Sequence, residues 1–302
     1  MAVKDMGASV LSRLKKQAKQ TKMNYQTCLQ LFVQEEFLRR LEVSGYVNNF
    51  VLKGGMFLYT ISKYEGRPTM DIDFMLKRIS NDIEELKEIV AKICEADTHN
   101  DYIEMKVTGA KNITPEKKYP GVSINMMAYI KNVRIPFSVD IGVDDVIIPG
   151  MVMRTVPTRL DGFKEPCVYT YSLESAMAEK FEAILKRMTA TSRMKDFYDL
   201  FYWSKMFDFD GRVLLEAIFE TLQHRGTPYE INSLKQIRAF DQNKFLCKLW
   251  NNYNPGPMIE KPDFSTVLIQ IEKFIGPVYD AMLRENEFLK KWYSKKSMWQ
   301  LT

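Results

Sequence analysis

A chain of 302 residues with 46% hydrophobic and 27% charged side chains has the length of about two domains and can bury a sizeable core, which excludes a disordered or fibrous protein. Its 43 basic and 38 acidic residues leave a formal net charge of +5, and it has only 2 His and 4 Cys. With no C-x-x-C and no Cys/His cluster, zinc sites and a disulfide scaffold are both disfavoured, so any chemistry has to rest on carboxylates, Lys, Arg and backbone amides. The N-terminus lacks the apolar core of a signal peptide, and no apolar run approaches the roughly 18–20 residues of a membrane span. The chain therefore reads as soluble and cytoplasmic, with no membrane partner.

In chain order, Val10, Leu11 and Leu14 recur at helical spacing over 9–18 with Lys and Arg between them. Leu29, Phe32, Val33, Phe37 and Leu41 then predict a helix over 25–41 with one apolar stripe, ended by Ser44-Gly45. Phe50-Val51-Leu52 reads as a short buried strand, Met56 to Lys63 as a helix broken by Glu65-Gly66-Arg67-Pro68, and Thr69 to Leu76 as a second strand. A helix over 81–96 is followed by three strands, 102–107, 122–130 and 134–141. The order helix–strand–helix–strand–helix and then a meander predicts a small mixed sheet with helices packed on it. The passage containing Pro149, Pro157 and Pro166 marks the domain seam, giving domains 1–165 and 166–302. Helices dominate after it, over 173–188, 194–206, 211–223 and 266–291.

Charge is uneven along this order. Residues 1–40 carry Lys4, Arg13, Lys15, Lys16, Lys19, Lys22, Arg39 and Arg40 against Asp5, Glu35 and Glu36, which accounts for the whole net +5. A second basic group runs from Arg284 to Lys296. Such ends suit a polyanion, or are simply solvated helix faces.

Asp71-Ile72-Asp73 is the centre of the functional reading. Side chains at i and i+2 of a strand share a face, and two neighbouring carboxylates repel unless a cation lies between them. Hard oxygen donors suit Mg²⁺ or Mn²⁺. A solvated pair of acids would show the same dipeptide, so its surroundings matter. Lys53-Gly54-Gly55 follows a strand and opens a helix, where glycine lets the backbone approach a ligand and the free N–H groups face phosphate. A third acid, Asp140, stands in Phe137-Ser138-Val139-Asp140-Ile141. Three acids on neighbouring strands beside a Gly-Gly helix start suit a two-metal nucleotidyl transfer from NTP to a hydroxyl.

The run 50–55 followed by Arg67-Pro68-Thr69-Met70-Asp71-Ile72-Asp73 resembles the AbiEii/AbiGii toxin family of the nucleotidyltransferase superfamily typified by DNA polymerase beta. The family's second block resembles Tyr171-Ser172-Leu173-Glu174 to Ala178-Glu179-Lys180, then Ser192-Arg193-Met194-Lys195-Asp196-Phe197-Tyr198-Asp199-Leu200. The likeness covers roughly 9–205. It implies an α+β, bilobed protein with a nucleotidyltransferase-like mixed sheet and a mostly helical C-terminal lobe. It also implies an NTP-dependent toxin that adds a nucleotide to RNA, most plausibly at the tRNA 3′ end, and a cognate antitoxin that is a DNA-binding repressor. Asp71 and Asp73 match the metal-binding acids, Asp140 the third carboxylate by position in the fold, and Lys180, Asp196 and Asp199 the second block. The superfamily's usual Gly-Ser is here Gly54-Gly55, which removes a hydroxyl and keeps the amides.

Outside the resemblance, Lys180 reads as a surface lysine pairing with Glu179 or Glu182 before it reads as a phosphate-binding one, and Asp196 as an acid favoured by a helix start. Asp196 and Asp199 share a helix face and are suited to orient Lys180, bind nucleotide or act as a base. Arg67 either touches triphosphate or caps its loop. Phe197 and Phe201 read as one buried stripe, with Tyr198 and Tyr202 nearer the site. Two other functions stay open: nucleotidylation of a protein or small-molecule hydroxyl, and a non-catalytic NTP-binding regulator.

Overall fold

The computed structural model describes residues 5–113, 120–256 and 259–301. Lys4, counted in the basic N-terminus, lies outside them. The chain forms two compact units: the first takes in the described residues of 1–144, 151–171 and 256–258, and the second those of 145–150, 172–255 and 259–302.

The first unit contains α1 (Met6–Thr21), α2 (Tyr25–Val43), β1 (Phe50–Lys53), α3 (Gly54–Ile61), β2 (Ile72–Leu76), α4 (Ile83–Glu95), β3 (Ile103–Ile113), β4 (Gly121–Ile130), β5 (Val133–Gly142), β6 (Val152–Thr155) and β7 (Cys167–Thr170). Its seven strands lie in the order β3-β4-β5-β2-β1-β7-β6, with β2/β5 and β1/β7 parallel and the other pairs antiparallel. This is the mixed sheet expected from the order of elements. Strand β5 shows how it is cored: Ile135, Phe137, Val139 and Ile141 alternate inward, as a half-buried strand requires. Helix α4 buries Leu86, Ile89, Val90 and Ile93 at helical spacing and starts on Asp82, whose carboxylate accepts from the N–H groups of Glu84 and Glu85.

Helix α2 departs from the expected single stripe. It is buried nearly all round from Cys28 to Leu41, packed by α1, α4, β5 and β7. Its charges are consequently internal. Glu36 accepts from Arg39 Nε at 2.7 Å, Arg40 Nε at 3.2 Å and Asn100 Nδ2 at 2.7 Å, while Arg40 donates to the Ile103 carbonyl at 2.6 Å. Arg39 and Arg40 therefore do not belong to a basic surface, which among the described residues of this stretch falls to α1 and Lys22.

The second unit holds α5 (Leu173–Arg187), α6 (Met194–Met206), β8 (Phe209–Asp210), α7 (Gly211–His224), α8 (Ser233–Arg238), α9 (Lys244–Asn252), α10 (Phe264–Leu283), β9 (Lys290–Tyr293) and β10 (Met298–Leu301). Helix α5 packs on α6 and α7, and α10 on α6, α7 and α8. The helix expected to run to 291 stops at Leu283, where the chain turns through Glu285 at φ 54°. It then forms an antiparallel sheet in the order β10-β9-β8 that buries Trp292 and stacks Trp299 on Phe274. No helix among the described residues is long and apolar enough to cross a membrane.

Candidate functional site

In the first unit the register builds one row across four strands. Lys53 of β1 pairs with Asp73 of β2, Asp73 with Asp140 of β5, and Asp140 with Ser123 of β4. Directly paired residues share a face of the sheet, so the two carboxylates are lateral neighbours with a lysine on one flank and a serine on the other. Ser123 donates its hydroxyl to Asp140 Oδ1 at 2.6 Å. Lys53 Nζ lies 4.9 Å from the centre of the Tyr171 ring and 3.4 Å from its oxygen.

The turn from β1 into α3 explains Gly54. Its φ is +66°, and a Cβ there would come 2.1 Å from Asp73 Oδ2 and 2.8 Å from Asp73 Cγ. Glycine is thus required twice, by backbone conformation and by the carboxylate packed against it. Gly55 is also confined, since a Cβ would stand 2.9 Å from Thr69 Oγ1. Helix α3 begins at Gly54, so its first N–H groups, free of intrahelical partners, lie beside Asp73.

Asp71 does not join the row. Strand β2 starts at Ile72, one residue later, because Thr69 Oγ1 takes the Asp71 N–H at 3.4 Å in a local turn in place of a ladder bond. Asp71 is exposed, while Asp73 and Asp140 are half-buried, and Arg67 is half-buried in the preceding loop. Among the described residues, no three His, Cys, Asp or Glu are grouped so as to hold a metal ion. Of the three acids expected together, Asp73 and Asp140 are paired in register and Asp71 stands immediately ahead of β2.

The second unit assembles the other residues. Helix α5 presents Lys180 and α6 presents Asp196 and Asp199. Lys180 Nζ lies 2.5 Å from Asp199 Oδ2 and 3.5 Å from Asp196 Oδ1, and Arg193 Nε lies 2.5 Å from Asp196 Oδ2. Asp196 and Asp199 are 0% and 1% exposed, so the set is a chain of alternating charge with buried acids and an exposed Arg193 at its end. Of the two readings of Lys180, the surface pair with Glu179 or Glu182 is excluded. Those two acids instead bind Arg225, at 3.1 and 3.0 Å, and Asp145 joins them at 2.7 Å. Burial opposes the charge of Arg225, and the carboxylates of Glu179, Asp145 and Glu182 outweigh it and keep the guanidinium firmly protonated.

Of the aromatic residues on α6, Phe197 is buried against Phe240 and Phe264 as expected. Phe201, expected on the same stripe, is half-buried with the Lys205 ammonium over its ring. Tyr198 and Tyr202 stack with centroids 5.8 Å apart.

Ser123, Thr69 and Tyr171 surround the acid row without having been singled out for it. Tyr171 opens the second sequence block, which was a signal. Nothing around Ser123 marks it, because its role comes only from the β4/β5 register.

With a glycine-headed helix set against paired strand carboxylates, comparison with known proteins becomes informative. The model of the family described as "Nucleotidyl transferase AbiEii toxin, Type IV TA system" matches residues 36–274. The chain belongs to this family. It is a nucleotidyltransferase-family toxin of a type IV toxin–antitoxin system, which implies a cognate antitoxin and an NTP substrate. No curated protein matches it. Among solved structures, MenT4, a nucleotidyltransferase toxin from Mycobacterium tuberculosis H37Rv, is similar at TM-score 0.58 and 17% identity over 91% of each chain. JHP933 from Helicobacter pylori has a TM-score of 0.45 and 13% identity, over 84% of this chain and 94% of its own. At 17% identity the likeness to MenT4 is one of fold, and it supports the α+β nucleotidyltransferase architecture.

Proposed function

We propose that this toxin is a metal-dependent nucleotidyltransferase that moves NMP from an NTP to an RNA hydroxyl, the tRNA 3′ end before others, and so blocks translation in the cytoplasm. The observation that carries the reading is Asp73 and Asp140 side by side on β2 and β5, with Gly54 admitting the Asp73 carboxylate against the start of α3.

The donor chemistry fits a hard divalent cation: only carboxylate oxygens are offered, with no sulfur or imidazole among them. Asp73 and Asp140, with Asp71 from the adjoining turn, would hold Mg²⁺ or Mn²⁺. Bound there, the metal would supply charge neutralisation for the triphosphate and activation of the attacking hydroxyl. The chain's own groups do the rest. The free N–H groups at Gly54 and Gly55 donate to phosphate oxygens, as a helix N-terminus does to anions. Lys53 and Arg67 add positive charge to the same unit. Ser123 holds Asp140 in one orientation through its 2.6 Å hydrogen bond, leaving the second carboxylate oxygen for other work. In the second unit we assign Lys180 to triphosphate binding, with Asp199 and Asp196 fixing its ammonium. The antitoxin is taken to be a DNA-binding repressor.

Incubation with each labelled NTP, Mg²⁺ and total tRNA tests the proposal. Label on RNA is expected with at least one NTP. Label on protein in place of RNA would move the acceptor to a protein hydroxyl, and no transfer from any NTP would refute the catalytic reading.

A further inference from the structure

Helix α1 lies ahead of the family match, which begins at residue 36, and the acid row makes no use of it. Between Asp5 and Glu35 the chain has no acidic residue and five basic ones, Arg13, Lys15, Lys16, Lys19 and Lys22. The helix is anchored on one side by buried Gly7, Val10, Leu14 and Ala18. Arg13 and Gln17 tie its flank to the carbonyls of Asp161 and Arg159, at 2.5 and 3.1 Å. At about 100° per residue, Lys15, Lys16 and Lys19 fall on an arc of about 100° opposite the buried side, and Lys22 ends the helix at φ 54°. All four are exposed, and within the described residues none makes an ion pair, hydrogen bond or cation–π contact.

Such an arrangement works against the helix. Lys15/Lys19 and Lys16/Lys19 are like-charge neighbours at i+4 and i+3 and repel. The remaining side chains on the arc, Ala8 and Ser12, are small and neutral, so the lysines face solvent without competition. We propose that this arc docks the phosphate backbone of the RNA substrate, an inference that rests on the RNA-acceptor reading above. Lysines three or four apart on the helix advance about 4.5–6 Å along the axis and can follow a strand of phosphates as point charges. A protein partner fits less well, since interface cores favour Tyr, Trp and Arg and are depleted in Lys. A membrane surface would require large apolar residues bordering the charges, and the arc has none.

The test is fluorescence anisotropy of the full chain with labelled deacylated tRNA over a salt series, without NTP. It compares wild type with Lys15→Gln/Lys16→Gln/Lys19→Gln/Lys22→Gln and with the corresponding four-Arg variant. The Gln variant is expected to bind at least about 10-fold more weakly, with its salt slope reduced by about 3, while the Arg variant binds like wild type. The KM for RNA should rise with kcat and the KM for NTP unchanged. Unchanged tRNA affinity and slope in the Gln variant would overturn the inference, as would wild-type protein that does not bind tRNA. Lysine-dependent capture by phosphatidylglycerol vesicles with unaltered tRNA binding would overturn it in favour of a membrane. Lysine-dependent tRNA binding without label transfer would instead sustain the docking surface and sink the transferase reading.

Discussion

In the first unit Asp73 and Asp140 stand on paired strands against a glycine, and the partner found on Asp140 is the Ser123 hydroxyl. In the second unit Asp196 and Asp199 are almost wholly buried and matched to Lys180 and Arg193. One arrangement sets half-buried acids in register across neighbouring strands, the other buries its acids against opposite charge. The difference teaches that equal residue types are expected to fail differently. An acid from the first should cost chemistry and little stability, whereas an acid from the second should cost stability before chemistry is reached.

The sharpest way to break this contrast is Asp199→Ala. It leaves the Lys180 ammonium, only 11% exposed, without its nearest carboxylate. Removing one member of a buried pair costs about 3–5 kcal/mol, and urea denaturation should show a loss of that order. A loss under about 1 kcal/mol would place the pair with surface ion pairs and remove the contrast.

Next comes a pH effect confined to the first unit. Glu35 is wholly buried, and burial pushes its carboxyl up to about 7 against the opposing charges of Arg159 and Arg39. The folded state then holds a proton that the unfolded chain has released between about pH 4.5 and 7, so stability falls as pH rises through that window. The full effect is on the order of 3 kcal/mol. Glu35→Gln should flatten the dependence in urea titrations at pH 5 and pH 8.

Gly54→Ala should cost about 2 kcal/mol, from the positive φ and the Asp73 clash together, and should also depress transfer by displacing that carboxylate. Crystallography of the variant would show Asp73 moved; an unmoved Asp73 with full activity would remove glycine's proposed role. Smallest is Ser123→Ala, expected to cost about 1.5 kcal/mol for a hydrogen bond to a charged acceptor and a few-fold in kcat.

Much of the first unit was legible in the sequence, because Gly54-Gly55, the Asp-x-Asp run and the meander have local signatures. The limits were also physical. Asp71 reads as a strand residue by alternation, but the Thr69 hydroxyl captures its N–H and delays β2. Arg39 and Arg40 read as surface charge, yet Glu36 and the Ile103 carbonyl draw them inside. The extension of α10 to 291 failed because Trp292 and Trp299 bury more as paired strands on Phe274 than helix periodicity could show. Ser123 joins Asp140 through a register that no local pattern encodes.

The central claim is most directly tested by Asp73→Asn, a substitution that keeps size and removes charge, assayed for label transfer from NTP to tRNA beside a thermal melt. The account expects transfer to fall by about 1,000-fold with Tm within about 2 °C of wild type. Undiminished transfer, or a variant that is inactive only because it unfolds, would contradict it.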